Sequence, residues 1–181
     1  YALMERDLKR MLAYSTVENV GIILLGIGGY LVLAARGMGG PAGLALAAAL
    51  FHALNHAAFK GLLFLGAGAV QRATGTRDME RLGGLIHAMP WTSGCFLVGA
   101  AAIAAIPPIN GFASEWMTLQ VLLQVLAGAD GPLVLGLGGL AVGALALTGG
   151  LAALCFVRAF GVPFLGVGRS SDAERAVEAP M

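Results

Sequence analysis

Between Pro41 and Gln71 the chain runs for about thirty residues with a single formal charge, Lys60. A stretch of that length and apolarity crosses the ~30 Å hydrocarbon core of a bilayer as one α-helix. Two histidines, His52 and His56, precede the lysine at helical spacing. Groups at i, i+4 and i+8 advance about 40° per step and climb roughly 12 Å, so they share one stripe of the helix. A charge at bilayer depth costs at least about 2.5 kcal/mol, which makes it a functional residue by default. Imidazole titrates near neutrality, so a row of this kind is suited to holding and passing protons.

Composition agrees with a membrane setting. Of 181 residues, 58% are apolar and 12% are charged, against about 25% charged in a soluble domain. The net charge of +1 gives no basis for nucleic-acid binding. The 28 glycines fit close helix packing in lipid, and Gly139 and Gly143 form one GxxxG pair. Cys95 and Cys155 both fall in apolar stretches without a CxxC partner or a neighbouring histidine, which reads as buried packing. The chain begins at Tyr1, in what looks like a helix end, and reads as a fragment of a longer membrane protein with no signal peptide.

Four apolar blocks cover residues 15–35, 42–71, 91–127 and 132–160. The third is too long for one straight span and holds Pro107, Pro108, Asn110 and Gly111 near its middle. It is either two short spans or two halves of one discontinuous span. Charge separates the two readings. Arg6, Lys9, Arg10, Arg72, Arg77, Arg81, Arg158, Arg169 and Arg175 flank the blocks, with Arg36 between the first two. Four spans put nine of these cations on one side and one on the other; five spans split them six to four. The positive-inside rule favours four spans with a broken third, and makes the basic side cytoplasmic. The expected architecture is an all-α integral membrane protein, with residues 1–160 as the membrane domain and 161–181 as a cytoplasmic linker or tail.

Prolines at membrane depth leave carbonyls of the preceding turn without donors. Such backbone persists in a bilayer only where protein or a water-lined cavity satisfies it, and transporters build ion sites there. Glu115 follows the break, beside Ser114. It is either a carrier in a cavity or a side chain reaching interfacial water past a simple kink. Glu18, about one turn into the first span, has the same two readings. Residues 72–90 form the one sizeable internal loop. Asp78, Glu80 and Arg81 read as its solvated face, and His87 as incidental. No cysteine cluster suits an iron–sulfur centre. No phosphate loop or catalytic triad is visible, and no acid separates His52 from His56 as in HExxH, so this chain carries no catalytic centre, cofactor site or metal site of its own.

Three motifs resemble one family. Asp7-Leu8-Lys9-Arg10-Met11-Leu12-Ala13-Tyr14-Ser15 is similar to the DxKRxLAYS segment of the antiporter-like membrane subunits of respiratory complex I and Mrp antiporters. The run from His52 to Phe64 resembles their HxxxHAxFKxLLF helix. Pro107-Pro108-Ile109-Asn110-Gly111-Phe112-Ala113-Ser114-Glu115 resembles their PPxNGFxxE/K break. Ser15-Thr16-Val17-Glu18-Asn19-Val20-Gly21, the run Phe164 to Ser170, and Glu178-Ala179-Pro180 resemble the branch found in hydrogenase 4 and formate hydrogenlyase. Gly168 stands where that branch usually has proline.

The resemblance implies a fold of two inverted five-helix repeats, of which this chain covers most of the second. It implies proton translocation along a midplane row, coupled to electron transfer in a group 4 hydrogenase or an NADH:quinone oxidoreductase-like complex. The residues that match are Lys60, His56, His52 and Glu115, with Glu18 matching the hydrogenase branch and Lys9 and Asp7 the segment before the first span. Nickel–iron, iron–sulfur or flavin centres belong, on this resemblance, to partner subunits. The implied partners are other membrane subunits, a peripheral redox arm and the lipid of the cell's inner membrane. Two rival readings are an Na⁺/H⁺ antiporter subunit and a structural anchor that does not pump; an anchor would gain by losing Lys60 and Glu115.

Overall fold

The computed structural model describes residues 1–178; Ala179 and Pro180, the end of the tail motif, lie outside the described residues. The described part is helical and contains no β-strand, although one isolated bridge pairs Asp7 with Asp78. Helix α1 runs Leu8–Ala35 and α2 runs Gly39–Thr74. A one-turn helix, α3 (Leu85–Ala88), leads into α4 (Pro90–Ile103). Then follow α5 (Asn110–Ala127), α6 (Pro132–Phe164) and the short α7 (Ser171–Glu174). Helices α1, α2 and α6 are each long and apolar enough to cross a membrane, and α4 is a shorter apolar helix.

Helix ends follow from local chemistry. The Asp7 carboxylate accepts the backbone N–H groups of Lys9 and Arg10 at 2.9 and 3.0 Å and so caps α1. Gly75 takes a left-handed conformation (φ +68°) and closes α2 with its N–H on the Gln71 carbonyl. Pro90 and Pro132 sit in the first turns of α4 and α6, where a missing N–H costs nothing. At the far end, Arg36 donates to the Val125 carbonyl, 3.1 Å away, near the C-terminus of α5.

The third block is one discontinuous span. Helices α4 and α5 barely touch each other side by side, and both lie along α2. Phe96 meets Gly66, Gly99 meets Leu63, Asn110 meets Asn55, Ser114 meets His52, and Val121 shares a cluster with Ala45. Numbers on α2 fall as those on α4 and α5 rise, so the two halves run end to end, antiparallel to α2. Between them, Ala105 and Ile106 donate to the carbonyls of Ala102 and Ala101, and Ala105 has φ +51°. A Cβ at Gly111 would collide with the Ala102 carbonyl oxygen, so only glycine lets the second half start this close to the first.

Small residues set the helix spacing, as expected where lipid is as apolar as the helix faces. A Cβ on Gly26 would come within 3.0 Å of the Ala49 Cβ, and one on Gly29 within 2.5 Å of Val121 Cγ1. The Gly139–Gly143 pair behaves differently from the expectation: both residues face outward with nothing within 4 Å. Cys155 is buried, but Cys95 is exposed on the outer surface of α4 rather than packed inside.

One end of the bundle collects nearly all the surface cations. Leu8 donates to the Arg77 carbonyl and Met79 to that of Arg6. Arg77 pairs with Asp7 at 3.2 Å, Arg6 with Glu80 at 3.3 Å and Arg81 with Asp172 at 3.8 Å. Arg158 donates to the carbonyls of Leu3 and Glu5, and Arg169 to that of Leu82. The chain start, the 75–89 loop and the 161–178 segment therefore share this end. The described part of the last segment packs against the bundle. Ala173 and Ala176 are buried in a cluster with Met79, Leu82 and Leu85, and Glu178 accepts the N–H groups of Trp91 and Thr92 at the start of α4.

Candidate functional site

Most of the buried polar groups, Ser15, Asn19, His52, Asn55, Lys60, Ser114 and Thr118, gather where α1, α2 and α5 meet. Lys60 is 5% exposed. Its ammonium donates to the Leu12 carbonyl at 2.7 Å and to the Ser15 hydroxyl, and it lies 5.9 Å from the centre of the Phe156 ring. Ser15 in turn donates to Leu12 at 3.1 Å. The lysine is thus held by dipoles and a ring face rather than by a counter-ion. Among the described residues the ion pairs within 4 Å all lie at the basic end.

Two turns earlier, His52 is fully buried and bridges three helices. Its Nε2 lies 3.2 Å from Asn19 Oδ1 on α1, and its Nδ1 lies 3.0 Å from Ser114 Oγ on α5. The Asn19 amide nitrogen is committed to the Ser15 carbonyl at 2.9 Å, which turns its oxygen to the ring. One i, i+4 pair on α1, Ser15 and Asn19, therefore serves both ends of the α2 stripe. His56 stands between them. Its ring meets Phe59 edge-on at 5.6 Å, and its Nε2 is buried with no hydrogen-bond partner among the described residues.

The broken span is tied to the same layer. Asn55 donates to the Asn110 carbonyl at 3.0 Å, and Asn110 returns a bond to Asn55 Oδ1 at 3.1 Å. This pair satisfies α5 at the break, as irregular backbone in a membrane requires. Glu115 lines a cleft of about 270 Å³ with Ala104, Ala105, Trp116, Leu145 and Gly149. Glu18 lines a second, of about 360 Å³, with Thr148, Leu151 and Cys155. Glu18 lies within electrostatic range of both Lys60 and Glu115, and Lys60 within range of His56.

The outlying candidates lie elsewhere. Asp7 is occupied as a helix cap and as the partner of Arg77. The Lys9 ammonium lies against Gly68, two turns from Lys60 towards the basic end. The residues that sequence reasoning passed over as site members are Ser15, Asn19, Asn55, Asn110 and Ser114. Their signal was positional: each is a polar, uncharged side chain on an apolar helix at three- or four-residue spacing from another polar group. Among the described residues no group of three His, Cys, Asp or Glu side chains is placed to hold a metal ion.

Comparison with known proteins follows the same lines. Hydrogenase-4 component B of Escherichia coli (strain K12) is 50% identical over 182 residues, covering 99% of this chain and 27% of that protein. Formate hydrogenlyase subunit 3 of the same organism is 46% identical over 187 residues, covering 100% of this chain and 30% of that protein. The chain thus spans less than a third of the length of these relatives. In the solved Mrp complex from Dietzia sp. DQ12-45-1b, one chain superposes with a TM-score of 0.75 at 25% identity, over 99% of this chain and 32% of that one. Residues 1–129 match the family described as NADH:quinone oxidoreductase/Mrp antiporter, TM. The chain is an integral membrane protein and belongs to that antiporter-like transmembrane family.

Proposed function

We propose that this chain carries part of a proton path through the membrane, coupled to electron transfer in a group 4 hydrogenase or a related quinone-reducing complex. The observation that carries this reading is the clustering of Lys60, His52, His56, Glu18 and Glu115 on three adjoining helices, with Ser15, Asn19 and Ser114 between them. Ionisable groups held in a bilayer without ion-pair partners are costly, and a proton carrier must be able to change charge. A tight salt bridge would lock it. Lys9 and Asp7 belong on this reading to the approach from the basic end, where the Lys9 ammonium lies over Gly68 of α2, two turns from Lys60, and Asp7 fixes the start of α1.

The basic end faces the cytoplasm of a cell whose plasma membrane holds the complex, by the distribution of its cations. Residues 1–160 form the membrane domain and 161–181 the cytoplasmic tail. Electron-transfer centres (nickel–iron, iron–sulfur or flavin) reside in partner subunits of a peripheral arm, and other membrane subunits flank this one. Na⁺/H⁺ exchange of the Mrp type is the second reading, favoured by the fold shared with the Mrp complex. The higher identity to hydrogenase-complex subunits over the whole chain supports the first.

The test is transport by the assembled complex in sealed vesicles. Lys60→Ala is expected to abolish proton uptake while the complex still assembles. An assembled Lys60→Ala complex that pumps at the native rate removes the path from this row. Sodium counterflow with native protons would favour the exchanger.

A further inference from the structure

We infer that the Ser114 hydroxyl is a two-position switch that couples the protonation of His52 to the first turn of α5, at the break in the third span. The inference rests on the proton-path reading and names a positioning residue within it. A serine hydroxyl has one proton to donate. Here it has two competing sets of acceptors: His52 Nδ1 at 3.0 Å, and the α5 carbonyls of Gly111 and Asn110 at 3.0 and 3.3 Å. Ser114 and His52 are both fully buried, so water does not arbitrate between them.

The far side of the ring decides which acceptor wins. Asn19 presents its oxygen to Nε2, so Nε2 carries a hydrogen in either charge state. In the neutral ring Nδ1 is then a bare acceptor, and Ser114 donates to it. When His52 takes up a proton, Nδ1 becomes a donor to Ser114 Oγ. The hydroxyl hydrogen must then turn to the Gly111 carbonyl. No atom moves far, and the proton balance is simple: one proton arrives on Nδ1 and one hydroxyl hydrogen rotates. Yet the first turn of α5 gains or loses a hydrogen bond at the residue that abuts the Ala102 carbonyl of α4. Glu115 directly follows Ser114 in the sequence. The other titratable groups of this layer are Glu18 from α1, His56 and Lys60 from α2, Glu115 from α5 and Cys155 from α6; Cys95 of α4 points outward.

The experiment compares proton transport from pH 5.5 to 8.5 in the assembled complex with the full-length subunit carrying Ser114→Ala, Ser114→Thr or Lys60→Ala. Removing the hydroxyl deprives the charged ring of an acceptor, worth more than the bond to a neutral ring. The expected result is a shift of the pH profile of Ser114→Ala to lower pH by about one unit. Ser114→Thr, which keeps the hydroxyl, is expected to restore the native profile. A uniform loss of rate with an unshifted profile, or a native profile, overturns the switch. If Ser114→Ala fails to assemble, Ser114→Cys keeps the volume with a weaker donor and is read in the same way. A silent Lys60→Ala beside an unshifted Ser114→Ala removes the switch and leaves the path standing; an active Lys60→Ala removes the path and the switch together.

Discussion

The Lys60 ammonium and the Ser15 hydroxyl meet across the α1–α2 interface, and the Leu12 carbonyl lies 2.7 Å from the same ammonium as its second acceptor. A hydrogen bond to a charged group contributes about 1.5–3 kcal/mol, so its loss alters the balance between charged and neutral lysine by tenfold or more. Ser15→Ala is expected to lower transport about tenfold while leaving expression and assembly intact. Ser15→Thr, which keeps the hydroxyl, should recover most of the rate. Initial rates of proton uptake in vesicles, normalised to assembled complex, check both.

The shared end of the bundle predicts a labelling pattern. Thr76 lies in the loop after α2 and Ser171 begins α7, and the loop and tail are tied together through Arg169 and Leu82 and through Arg81 and Asp172. Single cysteines at Thr76 and Ser171 should react with an impermeant thiol reagent from the same side of sealed membranes. The native Cys95 is exposed and must be replaced first. Labelling from opposite sides would mean five spans rather than four.

Much of this was legible in the sequence, and the reason is physical. Lys60, His52, His56 and Glu115 stand out because ionisable groups are rare in apolar runs. The break stands out because Pro107 and Pro108 cannot continue a helix. What was hidden is which face of each helix meets protein. In a bilayer both the lipid face and the protein face are apolar, so periodicity does not separate them. That is why Gly139, Gly143 and Cys95 were expected inside and lie outside. Ser15, Asn19 and Ser114 were hidden for a different cause: uncharged polar residues are cheap enough in a helix to be unremarkable until three helices bring them together. The docking of the tail was hidden by its polarity, since its buried apolar contacts are small residues, Ala173 and Ala176, and the rest of its hold is polar, through Arg169, Asp172 and Glu178.

The Asn55–Asn110 pair gives a prediction about stability. Replacing Asn55 with Leu removes the donor to the Asn110 carbonyl and strands the Asn110 amide. A fully buried polar group left without its partner costs about 1–3 kcal/mol, and the half-buried Asn110 sets the loss at the low end of that range. Asn55→Leu is expected to lower the thermal midpoint of the purified complex in detergent, and Asn55→Leu with Asn110→Leu to lower it by less than the sum of the two single changes. Strict additivity would show that the pair does not act as a unit.

Glu115 carries the last prediction. It sits one turn into α5, past the break, and lines a cleft with Gly149 of α6. A volume of about 270 Å³ has room for several waters, so the carboxyl can exchange protons through them with Glu18, which lies within electrostatic range. Glu115→Gln keeps the shape and the hydrogen-bonding capacity but cannot titrate. It is expected to abolish transport with assembly on a native gel unchanged. Glu115→Asp keeps the titration and withdraws the carboxyl by one methylene, so partial transport is expected. Filling the cleft instead, with Gly149→Leu, leaves Glu115 chemically intact but displaces the water that would serve it, and a large loss of rate is expected there too. Native transport by Glu115→Gln would assign the carboxylate a structural role and move the route to Glu18, His56 and Lys60; native transport by Gly149→Leu with a silent Glu115→Gln would keep Glu115 as a carrier but place its exchange partner elsewhere.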